Sequence, residues 1–174
     1  MKYFIDTEFS ERGRLFPIQL ISIGIVAEDG RTFYAVSAEF DEENCSDWVK
    51  QNVLPHVLDE APMSIWTIAE SVKLFVGDDK PEFWGYYADY DWVVFCQMFG
   101  SMIDLPKGWP MFCRDIKQLC VDKGNPELPK QSSTEHDALN DARWNKLAYE
   151  FLTLVDPAVL IQAELKRATP KESR

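Results

Sequence analysis

The sequence predicts an α/β fold in which a mixed sheet is flanked by helices on both faces. Residues 3–36 contain three strand-like stretches separated by turn signals, and the rest of the chain alternates helical with strand-like hydrophobic patterns. Hairpin strands followed by alternating helices and strands are typical of such a sheet, and they favour a central position for the opening strand.

The first three strands are expected to form an antiparallel unit. The segment 3–9 opens the chain as a strand, and in the run 18–27 isoleucines alternate with smaller residues, which is the period-two pattern of a second strand. The turn dipeptide Asp29-Gly30 joins this strand to residues 32–36, its hairpin partner.

Helical spacing dominates the remainder of the chain, interrupted by the aromatic-rich stretch 81–87, which indicates a buried strand of the parallel part of the sheet. Residues 123–134, rich in glycine, proline and serine, form the one long irregular loop. The predicted helices cover residues 48–57, 65–75, 93–99, 116–121, 138–154 and 157–167.

Length and composition predict a single domain. With 174 residues, 46 % of them apolar, the chain can build one substantial core, which we assign to residues 1–165, followed by a flexible basic tail over 166–174. No apolar run approaches the roughly 18 residues of a membrane span, and the acidic N-terminal segment is unlike a signal peptide. We therefore expect a soluble, cytoplasmic protein.

The net charge of −11 limits how the protein can meet nucleic acid. It argues against a protein that coats nucleic acid by bulk electrostatic attraction, but it permits an enzyme that holds phosphates through bound cations. The four cysteines include no CxxC pair and have no histidine at zinc-ligand spacing, so we expect reduced, mostly buried thiols and no structural zinc.

The first candidate site residues are Asp6 and Glu8, which stand two apart on the opening strand. Side chains at this spacing project from the same face, so the two carboxylates can share an ion. Burying an acidic pair costs several kcal/mol unless its charge is compensated, and a divalent metal is the usual compensation. Taken alone, the pair has a simpler explanation, namely a strand end that reaches solvent.

The second candidates, Asp89 and Asp91, lie where the predicted strand 81–87 gives way to a helix. One aspartate at such a junction is explained by capping of the helix and by its dipole, but this does not readily explain both. The junction also lies at the carboxyl end of a strand, where open α/β sheets tend to place ligands.

The third cluster contains His136 and Asp141 at the beginning of the helix 138–154. This arrangement puts a titratable imidazole beside a carboxylate. Asp137, in the first turn, is explained by the helix dipole. The only other histidine, His56, has no chemically active neighbours in the sequence and is interpreted as structural.

The sequences DTEF, YDWVVFCQMFG and HDALNDA, in this order, resemble the motifs of the DEDDh 3′-5′ exonuclease family, which has a ribonuclease H-like fold. The likeness covers nearly the whole chain and is greatest to small bacterial 3′-5′ exoribonucleases related to ribonuclease T and oligoribonuclease. It implies hydrolysis of phosphodiester bonds from the 3′ end of RNA, single-stranded or in a 3′ overhang, with release of nucleoside 5′-monophosphates. An asparagine that often precedes the second-motif aspartate in relatives is absent here.

The resemblance also implies a role for each candidate. Asp6 would bridge two Mg²⁺ or Mn²⁺ ions. Glu8 and Asp141 would complete the coordination of the ion that holds the attacking water, and Asp91 would support the second ion directly or through water. His136 would be the general base that accepts a proton from the attacking water. Asp89 is the reserve candidate for the role of Asp91.

The sequence also suggests which residues contact the substrate and which partners the protein has. Phe9, Trp66 and Trp92 are the candidates for stacking on unpaired bases of the RNA. Relatives are often dimers, so the resemblance implies a homodimer. Two alternatives stay open: the same chemistry directed at DNA, because nothing in the sequence visibly reads the 2′-hydroxyl, and a catalytically silent module of the same fold that only binds.

Overall fold

The computed structural model describes residues 1–57, 59–131 and 136–154. The strands are β1 (Lys2–Ser10), β2 (Gln19–Ala27), β3 (Thr32–Val36), β4 (Glu82–Gly85) and β5 (Arg114–Asp115). The helices are α1 (Asp47–Asn52), α2 (Ile65–Val76), α3 (Asp89–Met98), α4 (Ile116–Asp122) and α5 (Ala138–Leu154), with 3₁₀ turns at Leu54–His56 and Met102–Asp104.

The five strands form one mixed sheet in the order β3-β2-β1-β4-β5. Strand β1 pairs antiparallel with β2 and parallel with β4, while β2–β3 is antiparallel and β4–β5 parallel. The predicted mixed sheet, with its antiparallel opening unit and central first strand, is confirmed. The carboxyl ends of β1 and β4 therefore lie at the same edge of the sheet.

The side chains of β1 alternate between two apolar layers. Tyr3 and Ile5 pack in the core beneath α2 and α3, whereas Phe4 packs in the core beneath α4 and α5. Continuing this alternation, Asp6 and Glu8 lie on the α5 side of the sheet and Thr7 lies on the α3 side. Helices cover both faces, as the sequence predicts.

Helix α5 lies unusually close to the sheet because residue 24 is a glycine. Gly24 is opposite Asp6 in the β1–β2 pairing, and a Cβ atom built on it would overlap the carbonyl group of Ala138, the first residue of α5. One turn after Asp141, the Asn145 side chain donates to the Ile5 carbonyl at 2.9 Å. These contacts fix the beginning of α5 beside Asp6.

A bulge in β2 lies beside the end of β1. Glu8 pairs with Ser22 but Phe9 pairs with Leu20, so that Ile21 is the extra residue. Ile21 packs with Val49 of α1 and with Cys45 and Val53, which flank this helix, rather than in the cores of the two sheet faces. The bulge therefore attaches α1 to the same end of the sheet as Glu8.

Several predicted boundaries are wrong for local reasons. The predicted helix 48–57 is divided because Pro55 has no N–H to continue α1, and a 3₁₀ turn follows instead. The strand at 81–87 stops at Gly85, since Tyr87 has a left-handed φ of 54° and the chain enters α3 at Asp89, four residues before the predicted start. The two-residue β5 was not predicted.

Parts of the predicted secondary structure lie outside the described residues, namely the helix 157–167, the tail 166–174 and part of the loop 123–134. The extent of the single domain, 1–165, stays a prediction. None of the helices described within 1–57, 59–131 and 136–154 is long and apolar enough to cross a membrane.

We expect Gly24→Ala to displace α5, because a methyl group cannot occupy the position of the Ala138 carbonyl. Overpacking of this kind costs about 1–3 kcal/mol in the free energy of unfolding, which urea denaturation measures, and any hydrolytic activity should also fall. Gly77→Ala is the control. An alanine at position 77 is strained by the left-handed φ of 65°, but its Cβ would meet no atom within 4 Å. Equal loss of activity in both variants would contradict the special role of Gly24.

Candidate metal centre

Strand β1 contributes the first two carboxylates. Glu8 is buried, with 9 % of its surface exposed, and Asp6 is partly buried two residues before it on the same face. No lysine or arginine within the described residues forms an ion pair with either carboxylate. Their negative charge is therefore not compensated by this part of the protein.

Asp91 reaches the same strand from the opposite layer. Its Oδ1 accepts the backbone N–H of Thr7 at 2.8 Å and the Thr7 hydroxyl at 2.6 Å. These bonds attach the buried Asp91 to the residue that separates Asp6 from Glu8. Asp89 is exposed, so the geometry favours Asp91 as the carboxylate of the second motif.

The beginning of α5 contributes His136 and Asp141. The backbone N–H of His136 donates to Asp141 Oδ2 at 3.0 Å, and His136 has a left-handed φ of 69°. Asp137 Oδ1 accepts the N–H groups of Leu139 and Asn140 at 3.0 and 3.1 Å, so Asp137 caps the helix as its position suggests. His56 is exposed on its 3₁₀ turn.

Three of these residues can share one ion. Glu8, His136 and Asp141 each place a ligand atom within 4.8 Å of the other two. Ligands on opposite sides of a bound Mg²⁺ lie about 4.2 Å apart, since each bond is about 2.1 Å long. Small side-chain movements would therefore complete a coordination shell. The oxygen-rich donor set fits Mg²⁺ or Mn²⁺.

Asp6 and Asp141 line the same small cavity, which has a volume of about 130 Å³. Its volume is enough for an ion with several waters, since one water needs only about 10–15 Å³. The lining residues are Asp6, Tyr86, Gln131, Asp141, Trp144 and Asn145. Gln131, Trp144 and Asn145 were not predicted from the sequence as site residues, although Asn145, four residues after Asp141, shares its helix face.

Burial and mutual repulsion raise the pKa values of the carboxylates. Burial, followed by the charges of Asp91 and Asp141, holds the pKa of Asp6 well above its usual range. The same kind of environment, with burial first and Asp141 next, raises the pKa of Glu8 to about 8. Burial also raises the pKa of Asp91, although its bonds from Thr7 oppose the shift. A cation would relieve these costs directly.

The predicted stacking residues have different surroundings. The Phe9 ring stacks on Tyr90, with the centroids 5.7 Å apart and the planes at 9°. Trp66 is 72 % exposed in the first turn of α2. Trp92 packs on Phe95, with the centroids 5.2 Å apart.

One aromatic neighbour of the site was not predicted at all. Trp48, on α1, meets the His136 ring edge to face at 5.0 Å. No sequence pattern predicts this contact, because it joins residues 88 positions apart. It depends on the packing of α1 at the β2 bulge.

Comparison with known proteins identifies the family. The model of the family described as the 3′-5′ exoribonuclease Rv2179c-like domain matches residues 1–153. Two relatives from Mycobacterium tuberculosis are each 42 % identical to this chain over 165 residues, which span 91 % of it and 96 % of the relative. They are the 3′-5′ exoribonuclease MT2234.1 of strain CDC 1551 / Oshkosh and the 3′-5′ exoribonuclease Rv2179c of strain ATCC 25618 / H37Rv.

The fold also matches a solved structure of exonuclease I. The TM-score is 0.61 at 14 % identity, and the match covers 95 % of this chain but only 43 % of the exonuclease I chain. At this identity the likeness concerns the fold alone.

In the absence of divalent ions, we expect the free energy of unfolding to decrease as the pH rises from about 5 to about 8. The pKa of Glu8 is about 8 in the folded protein and 4.5 ordinarily, so over this interval the folded state holds a proton that the unfolded state releases. Urea denaturation in EDTA at several pH values measures the slope. Glu8→Gln should reduce the slope of the free energy of unfolding against pH. Glu28→Gln, which changes an exposed glutamate in the turn after β2, is the control and should leave the slope unchanged. An unchanged slope in Glu8→Gln would refute the assignment.

Proposed function

The chain belongs to the 3′-5′ exoribonuclease Rv2179c-like domain family, and from this membership we propose that it is a metal-dependent enzyme that removes nucleotides one at a time from the 3′ end of RNA. The observation that carries the proposal is the group formed by Glu8, His136 and Asp141, which combines two metal-ligand carboxylates with a titratable imidazole. A pure binding module has no need of this combination.

Four carboxylates would hold two Mg²⁺ or Mn²⁺ ions. Asp6 shares a strand face with Glu8 and lines one cavity with Asp141, which supports a bridging role. Asp91 would support the second ion from the α3 side. When bound, such ions activate a water molecule and neutralise the charge that develops on the leaving 3′ oxygen. Thr7 keeps Asp91 in place through its two hydrogen bonds.

His136 acts as the general base. Its imidazole lies beside Glu8 and Asp141, so it would be near a water held by an ion that those carboxylates bind. It takes a proton from that water as the phosphorus gains the new oxygen and the bond to the 3′ oxygen of the preceding nucleotide breaks. The products are a nucleoside 5′-monophosphate and RNA shortened by one residue. A positioned base of this kind contributes about 10²–10⁴-fold to the rate.

Unpaired bases would stack beside the site. Of the three predicted residues, Phe9 has the strongest support, since it follows Glu8 directly and already stacks on the half-exposed Tyr90. Trp66 offers a free ring on α2, and Trp92 would contribute through the packing around Phe95. Base–aromatic stacking is sequence-tolerant, which suits an enzyme that degrades from an end.

RNA is the preferred substrate in this proposal because both relatives are exoribonucleases. A DNA-directed activity is the second candidate, since none of the site contacts described above distinguishes ribose from deoxyribose. We also propose a homodimer, to which the exposed apolar side chains of Ile103, Met111 and Phe112 lend support, and a cytoplasmic location, consistent with four free cysteines.

The direct test uses end-labelled single-stranded RNA and DNA of the same sequence, incubated with Mg²⁺ or Mn²⁺, with and without EDTA. We expect a ladder that shortens RNA from its 3′ end, releases 5′-monophosphates, and disappears with EDTA. His136→Ala should reduce the rate by about 10²–10⁴-fold without abolishing metal binding. Faster digestion of DNA would select the second candidate, and failure to digest either polymer would favour a binding module.

The roles of the two second-motif aspartates can be separated by matched substitutions. Asp91→Asn should reduce kcat by at least about 10–100-fold, the range seen when groups that support a metal site are changed. Asp89→Asn removes an equal charge from the same first turn of α3, so it controls for the helix dipole and should leave kcat nearly unchanged. The reverse result would transfer the role to Asp89.

A further inference from the structure

Gln131 lines the cavity beside Asp6 and Asp141 but is neither a metal ligand nor the general base of the proposed reaction. Its side-chain Nε2 donates to Asp141 Oδ1, while the backbone N–H of His136 donates to Asp141 Oδ2. The amide nitrogen is the donor in this bond, and the Asp141 oxygen is the acceptor. Both oxygens of Asp141 are thus held by donors that precede α5 in the chain.

We propose that Gln131 is a positioning residue that orients the Asp141 carboxylate for metal binding. This inference rests on the proposed metal-dependent function. A carboxylate has about four lone-pair sites, so these two bonds do not by themselves exclude an ion. Without the amide, Asp141 would lose one of the donors that orient its ligand atom, which lies within 4.8 Å of those of Glu8 and His136.

Gln131 is itself anchored by the helix that carries Asp141. The Trp144 indole N–H donates to the Pro129 carbonyl at 2.9 Å, two residues before Gln131. Trp144 lies three residues after Asp141 in α5, and the Tyr86 ring meets its indole edge to face at 4.9 Å. One helix therefore holds the carboxylate and also the segment that supplies its partner.

A neutral donor suits this position better than a charged one. Burial, followed by the charges of neighbouring carboxylates, already raises the pKa values of Asp6 and Glu8. A lysine or arginine at 131 would compete with the metal for the carboxylates, and an acid would add repulsion. The glutamine amide donates a hydrogen bond and adds no net charge.

The test is calorimetric titration of Mn²⁺ into the metal-free, full-length protein. Gln131→Met keeps the approximate length of the side chain but removes the donor, and we expect Mn²⁺ affinity to fall about 10–100-fold. The kcat at low Mn²⁺ should fall in parallel and recover in part at high Mn²⁺, with the KM for RNA nearly unchanged. The control is Gln118→Met, which removes an equivalent amide bond of 2.8 Å to Asp122 on the exposed face of α4.

The outcomes separate the inference from the function on which it rests. Folded Gln131→Met with wild-type Mn²⁺ affinity would overturn the inference and leave the proposed function intact. A wild-type protein that binds no divalent ion would overturn both. If circular dichroism shows that Gln131→Met does not fold, Trp144→Phe decides, because it keeps an aromatic ring against Tyr86 but removes the bond to Pro129. Reduced affinity there supports the role of Gln131, and wild-type affinity refutes it.

Discussion

Asp6 and Glu8 are acidic groups on the innermost strand of a sheet whose two faces are otherwise closed by apolar side chains. Ionising them there is expensive, and the charges of Asp91 and Asp141 increase the cost, as the raised pKa values show. A fold that relied on its own residues for compensation would place lysine or arginine beside them. The hydrogen-bond donors found among the described residues go instead to the neighbouring carboxylates: Thr7 donates to Asp91, and Gln131 and His136 donate to Asp141. These neutral donors orient the carboxylates without neutralising them.

The carboxylates are brought together from both layers of the protein. Asp91 arrives with α3 and is held by Thr7, while Asp141 arrives with α5, which can approach β2 because residue 24 has no side chain. Two of the three non-glycine residues with left-handed φ among the described residues, Tyr87 and His136, lie two residues before the starts of α3 and α5. Both helix starts contribute a carboxylate at the end of β1. Backbone residues in strained conformations of this kind are common at functional sites.

The sequence predicted well whatever depends on local spacing. The period-two alternation predicted the antiparallel unit and the shared face of Asp6 and Glu8. Motif order indicated His136 and Asp141, which the structure brings close to Glu8. It missed the start of α3, because the helix begins with Asp89 and Tyr90 rather than with the apolar residues at Val93 and beyond. Gln131 and Trp48 were also missed. Gln131 contacts Asp141 of α5, and Trp48 of α1 contacts His136. Both contacts depend on how separate segments pack together, which hydrophobic periodicity does not predict.

The same electrostatics would couple the proposed metal binding to protons. Burial and the charge of Asp141 raise the pKa of Glu8 to about 8, so an ion that binds this carboxylate near neutral pH would have to displace a proton. The affinity for such an ion would therefore increase with pH across the neutral range. Ion binding would in turn lower the effective pKa values and remove the repulsion that destabilises the metal-free fold at higher pH. Folding, proton release and metal binding would thus be parts of one equilibrium, centred on the end of β1.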